Sequence, residues 1–140
     1  MNFDDNKAIQ TLLKKADADF KSALKLIEYE PIILDTAAFH CQQAIEKYLK
    51  AYLVFMQIDY PRSHNLESLL DLIHATDNSF EDFHFLNLTS FAVEIRYTDD
   101  YLIPDIEEMK AYLFLVEKVK ISYCLKSKHI KTTCQQKHQN

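Results

Sequence analysis

The chain has 140 residues, 48% of them hydrophobic and 26% charged, and a net charge of −5 at pH 7. That is enough for one domain with one core. The acidic balance argues against generic binding to phosphate backbones, where affinity comes from Lys and Arg, and no apolar run approaches the roughly 18 residues of a membrane span. There is no glycine at all, which excludes a P-loop, a dinucleotide fingerprint and any hairpin turn that needs a left-handed Gly.

The first predicted helix runs from about Asp5 to Tyr29. Asp4 and Asp5 offer N-cap chemistry and negative charge at the positive end of the helix. Ile9, Leu12, Leu13, Ala16, Phe20, Ala23, Leu24 and Ile27 fall at helical spacing. Pro31 disfavours helical geometry at Glu30 and ends the element.

The second predicted helix runs from about Asp35 to Met56, with Ala38, Cys41, Ile45, Tyr48, Leu49, Tyr52 and Phe55 on one face. A polar stripe of His40, Gln43, Lys47 and Lys50 lies on another, and Glu46 stands four residues before Lys50, a favourable ion-pair spacing. Tyr60-Pro61-Arg62-Ser63 reads as a loop. A short third helix spans about Asn65 to Ala75, capped by Ser63 or Asn65, with Leu66, Leu69, Leu70 and Ile73 inward.

A fourth helix is expected from near Ser79 to about Tyr97. Ser79-Phe80-Glu81-Asp82 approximates a capping box, and Phe80, Phe83, Leu88, Phe91, Ala92 and Ile95 form its apolar side. Thr98-Asp99-Asp100 breaks it. The fifth is expected to start near Pro104, in the first turn where proline is favoured. It runs to about Lys126, with Ile106, Met109, Leu113, Val116 and Tyr123 inward. Short connections between such helices favour an all-α, up-and-down four-helix bundle with one additional short helix. The bundle is assigned to residues 1–126, and residues 127–140 to a polar C-terminal extension.

The N-terminus lacks the basic and apolar regions of a secretory signal, so the expected location is the cytoplasm. Three cysteines in such a chain argue against a disulfide framework. Cys41, among alanines, reads as a core residue. Cys124, His129, Cys134 and His138 are zinc-ligand types, but their spacing lacks the paired cysteines of standard zinc modules, so no metal is assigned.

Three segments, in order, resemble the HEPN domain family. Phe39-His40-Cys41-Gln42-Gln43-Ala44-Ile45-Glu46-Lys47-Tyr48-Leu49-Lys50-Ala51-Tyr52-Leu53 is similar to the family's signature helix. Ser63-His64-Asn65-Leu66-Glu67-Ser68-Leu69-Leu70 is similar to the H-[DN]-L-x-x-L segment that follows it, and Phe91-Ala92-Val93-Glu94-Ile95-Arg96-Tyr97-Thr98-Asp99 to its A-x-x-x-R-Y-x-D stretch. The resemblance covers roughly Asp5 to Lys126. It implies a four- or five-helix bundle, commonly a homodimer, thought of as a nucleotide-binding module. It also implies frequent pairing with a minimal nucleotidyltransferase in a toxin–antitoxin-like pair.

Another branch of the family consists of metal-independent ribonucleases carrying an Arg followed, after four to six residues, by a His. The two arginines here fail that pattern. Glu67, Ser68 and Leu69 stand at those offsets from Arg62, and Tyr101, Leu102 and Ile103 from Arg96. A tyrosine, with an ordinary pKa of about 10, is a poor general base at neutral pH. Tyr101 reads either as an exposed loop aromatic or as a hydroxyl that a partner transferase could nucleotidylate.

The expected role is therefore a binding module without catalysis of its own and without a cofactor. A degenerate ribonuclease and a purely structural dimer domain are the alternatives. The candidate ligand-binding residues are Arg96, Tyr97, Asp99, His40, Gln43, Lys47 and His64. Arg96 could clamp a phosphate in bidentate fashion, form an ion pair with Glu94 or Asp99 that stops its helix, or stand at a dimer seam. The His40/Gln43/Lys47 stripe either faces a phosphate or base, or is a solvated face. His64 either stands at a site mouth or is a helix-capping or loop-packing histidine before Leu66. The expected partners are a second copy of the chain, a minimal nucleotidyltransferase and a nucleotide, with neither membrane nor generic nucleic acid.

Overall fold

The computed structural model describes residues 2–29, 32–91 and 103–127. Four α-helices, α1 (Phe3–Glu28), α2 (Leu34–Phe55), α3 (Leu66–Thr76) and α4 (Ile106–Lys126), and one 3₁₀ turn (Leu88–Phe91) make an all-α bundle, with no strand among the described residues. No helix among them is long and apolar enough to cross a membrane.

Helix α1 is set by a full capping box one turn earlier than the aspartates suggested. Asn2 is the N-cap and accepts from the Asp5 amide at 2.9 Å, while the Asp5 carboxylate accepts from the Asn2 amide. Ile9, Leu13, Ala16 and Ala23 form its buried stripe, whereas Leu24, expected inward, is exposed. Helix α3 uses the expected cap, Asn65, whose side chain accepts from the Ser68 amide at 2.8 Å. Helix α4 begins two residues beyond Pro104. Asp105 is its N-cap and forms a capping box with Glu108, so the proline precedes the cap instead of sitting in the first turn. Its buried face holds Met109, Tyr112, Val116, Val119 and Tyr123, and Ile106 is exposed.

The centre of the bundle is α2, which packs against α1, α3, α4 and the 3₁₀ turn. Ala37, Ala38, Cys41, Ala44, Ile45, Tyr48, Leu49, Ala51, Tyr52 and Leu53 are all buried along it. Small residues on this face allow close helix approach, and the aromatic ones fill what remains. Helix α1 lies antiparallel to α2: the Ile33 amide donates to the Leu26 carbonyl across the connection, and Tyr48 reaches Asp17. Helices α3 and α4 share the direction of α2. The Gln42 amide meets His64 before α3 and Tyr52 meets Asp77 after it, while Tyr52 also touches Tyr123 near the end of α4.

The described part of the fourth predicted helix, Ser79–Phe91, is not α-helical, which overturns that expectation there; its remainder to Tyr97 lies outside the described residues. Ser79 does not cap a helix, because its amide and hydroxyl both turn back to the Asp77 carboxylate. Residues 81–85 are irregular and Leu86 has φ 56°, the left-handed region that is costly without glycine. The compensation is aromatic: Phe80 and Phe85 are buried, Phe83 stacks on Phe85 with ring centres 6.0 Å apart, and Phe80 lies 4.8 Å from Tyr52. Phe80, Phe83, Leu88 and Phe91 of the expected helix thus reach the core by another path, and Ala92 and Ile95 lie outside the described residues. Of the expected polar extension only Ser127 is described.

Candidate functional site

On α2 the side chains of residues 40, 43, 47 and 50 fall on one strip by helical periodicity, and residues 42 and 46 on the strip beside it, toward α3. The structure joins both strips into one hydrogen-bonded network. At one end His40 Nδ1 meets Asp19 Oδ1 of α1 at 2.8 Å, and Lys47 Nζ donates to the other oxygen of the same carboxylate. Lys47 also lies 3.3 Å from Gln43 Oε1, and Gln43 Nε2 donates to Gln42 Oε1 at 2.7 Å. Gln42 Nε2 donates onward to the His64 carbonyl at 2.8 Å and to Glu46 Oε1 at 3.3 Å. Glu46 is the hub at the far end, accepting also from Lys50 Nζ at 3.2 Å and from His64 Nδ1 at 2.7 Å.

Burial makes this arrangement costly to leave incomplete. Gln42 and Glu46 are both buried, and an unpaired polar group there would lose its hydration without compensation. Gln42 uses both ends of its amide, and Glu46 has three donors. At the surface end the His64 side chain is 52% exposed while its Glu46 partner is 5% exposed. Lys50 additionally lies over the Tyr60 ring, 5.6 Å from its centre.

The electrostatics follow from the pairing. Burial pushes the Asp19 carboxyl upward, but the hydrogen bonds and charges of His40 and Lys47 outweigh it, so its pKa lies below the ordinary carboxylate value. Histidines aside, the two carboxylates balance the two lysines. The site is therefore a set of paired charges opened at one edge by His64, not a bare cationic patch. With Nδ1 of His64 donating to Glu46, its Nε2 is left as the acceptor, turned from the carboxylate.

Four of the predicted site residues, His40, Gln43, Lys47 and His64, are thus brought together. Within the stripe, Lys47 and His40 share the Asp19 carboxylate. His64 does not cap α3, because Asn65 does. Arg96, Tyr97 and Asp99, with Tyr101, lie outside the described residues.

Sequence reasoning missed Asp19, Gln42 and the central role of Glu46, of which only the pairing with Lys50 was read; that ion pair is present. The available signal was the four-residue spacing of Gln42 and Glu46 beside the core positions Cys41, Ile45 and Leu49. That spacing places two polar side chains on the edge of a buried face.

A second polar clamp lies on the other flank of α1, where the Asp17 carboxylate accepts from the Tyr48 hydroxyl and from Lys120 of α4 at 2.9 Å. Burial first, and then Asp17, push the Tyr48 pKa far above its usual value, so it remains a neutral donor.

Among the described residues no group of three or more His, Cys, Asp or Glu could hold a metal ion, and three of the four zinc-type residues considered lie outside them. Cys41 is free and buried, as expected of a core residue.

Comparison with known proteins bears on the whole arrangement. No match was found among curated proteins or among solved structures. The family model described as HEPN domain matches residues 9–130, a stretch that includes α2, the His64 loop and the arginine motif. The chain belongs to the HEPN domain family.

Proposed function

We propose that this chain is a non-catalytic HEPN module that binds a nucleotide, or a minimal nucleotidyltransferase, as one half of a toxin–antitoxin-like pair. The observation that supports it most is the Asp19–Lys47–Gln43–Gln42–Glu46–His64 network. Polar groups buried on a signature helix and opened to solvent at one histidine are a costly arrangement to maintain for packing alone. In this reading a phosphate group meets Lys47 and His40 by exchanging with Asp19. The base or sugar lies toward His64 and Gln43. Arg96, Tyr97 and Asp99 enter this reading from the sequence alone, as residues of the stretch that resembles the family's arginine motif. The missing motif histidine supports the absence of catalysis.

The expected homodimer finds support in α4, where Phe114, Ile121 and Leu125 are exposed at spacings of seven and four residues. Such a stripe suits a self-complementary two-fold contact.

Thermal unfolding with and without a panel of nucleotides tests the binding reading. A nucleotide at a hundred times its dissociation constant adds about 2.7 kcal/mol, a rise of roughly 5–15 °C for a domain of this size. Loss of that rise in Lys47→Ala and Arg96→Ala locates the site. No rise with any nucleotide, together with no complex with a minimal nucleotidyltransferase, refutes it.

One observation favours a second reading, a ribonuclease that uses a histidine outside the family motif. The Nδ1 of His64 is held by a buried carboxylate, which orients Nε2 as a base would be oriented. His64 Nε2 would take the ribose 2′-proton while the 2′-oxygen attacks the adjacent phosphorus and the 5′-oxygen leaves. Cleavage of RNA by the wild-type protein and not by His64→Ala or Arg96→Ala selects this reading. Equal traces of cleavage in all three dismiss it.

A further inference from the structure

Helix α1 segregates its charges in a way the bundle does not require. At 100° per residue, Lys7, Lys14, Lys15, Lys21 and Lys25 fall within an arc of about 120° centred opposite the buried Ile9/Leu13/Ala16 stripe. All five are exposed. Only Lys25 has an ion pair among the described residues, with Glu28 at 3.9 Å. The two acidic residues in the middle of the helix sit at the edges of this arc and turn inward, Asp19 to His40 and Lys47, and Asp17 to Tyr48 and Lys120. The outer face is thus uniformly cationic over about 27 Å, on a chain whose net charge is −5. Lys7, Lys14 and Lys21 repeat every seven residues, and small Thr11 and Ala18 stand between them.

A concavity of about 450 Å³ opens beside the N-terminal end of this ladder. Ala8, Leu12, Val54 and Tyr60 line it and Lys7 stands at its rim.

We propose that the outer face of α1 docks an acidic amphipathic helix of another protein. Its carboxylates lie along Lys14, Lys15, Lys21 and Lys25, and one apolar side chain enters the concavity beside Lys7. The seven-residue repeat matches a partner helix, whose own side chains recur at that period. The small residues let the two backbones approach.

A nucleic acid fits less well. The ladder has no arginine for bidentate phosphate contacts, and the exposed aromatics at the ends of α1, Phe3 and Tyr29, stand beyond the lysines and not between them. The concavity is largely apolar, which suits a hydrophobic side chain and not a phosphate. This surface points away from the α2 network, and its test is independent of any nucleotide.

The test uses a labelled synthetic helical peptide with glutamates at seven-residue spacing and one terminal-turn phenylalanine. Its fluorescence anisotropy is titrated with the full chain at low salt and at about 0.15 M. The proposal expects saturable binding that weakens with salt. Lys14→Glu/Lys21→Glu should weaken it at least tenfold; both positions are exposed, and circular dichroism verifies the fold. Ala8→Trp fills the concavity, so replacing the peptide phenylalanine with alanine should weaken binding to wild type but not to Ala8→Trp. Absence of binding, or equal binding by the double charge reversal, overturns the proposal. Tighter binding of an RNA oligonucleotide than of the peptide, with the same lysine dependence, overturns it in favour of a phosphate backbone.

Discussion

Glu46→Ala removes the hub of the α2 network, and the structure sets the size of the loss. The Glu46 side chain is 5% exposed and pairs with Lys50, 15% exposed, and with His64, 52% exposed. Removing one member of a fully buried ion pair costs about 3–5 kcal/mol. Here His64 can rehydrate, and Gln42 keeps its bond to the His64 carbonyl, so the loss is that of two charge-assisted hydrogen bonds with partial relief. The expected destabilisation is about 2–4 kcal/mol, which lowers Tm by roughly 6–15 °C. Urea unfolding followed by far-UV circular dichroism measures it. Gln42→Leu and the double variant complete a cycle, and the two positions should couple by about 0.5 kcal/mol or more. A loss within about 0.5 kcal/mol for Glu46→Ala, the range of ordinary surface substitutions, refutes the network as a buried, cooperative unit.

Asp19→Asn should destabilise the chain by about 1–3 kcal/mol by weakening the α1–α2 link at His40 and Lys47. Because the folded-state pKa of Asp19 is depressed, this contribution is complete above the unfolded carboxyl value of about 3.9 and disappears as pH falls through the lower folded value; wild type and variant should converge in acid. Asp77 is held at about 2, first by its hydrogen bond from Ser79 and then by that from Tyr52. Asp77→Ala should therefore differ from wild type above pH 4 and lose that difference toward pH 2 in the same unfolding series. Asn65→Ala removes the side-chain cap of α3 and should cost about 1 kcal/mol in urea unfolding. The Cys41 thiol, pushed up to about 12 by burial, should resist alkylation in the native state, with modification followed by peptide mass mapping and appearing only as the chain unfolds.

Helices α1, α2 and α3 were legible because one apolar face runs through each at helical period, with an asparagine cap at the start of α1 and of α3. The segment from Ser79 to Phe91 misled because Phe80, Phe83, Leu88 and Phe91 can be read at helical spacing. Asp77 captured Ser79, and the aromatic cluster on Tyr52 buried the same residues without a helix. Half of the candidate site was visible as polar residues recurring along α2. Its other half was not, because Asp19 comes from α1 and Glu46 takes its meaning from His64, contacts that only the packing of α1 and the loop against α2 creates. The lysine ladder of α1 escaped notice for a related reason: Asp17 and Asp19 dilute it in sequence and leave it only when they turn inward.

The central claim is that the buried polar network of α2 receives a ligand at its His64 edge. A long-range proton–nitrogen correlation spectrum of the histidine rings, recorded during titration with the nucleotide that raises Tm most, tests it directly. The account predicts an Nδ1-protonated His64 in the free protein, and a saturable shift of the His64 and His40 nitrogens that is absent in Lys47→Ala. Ring signals that stay in place while the nucleotide binds would put the ligand elsewhere and contradict the account.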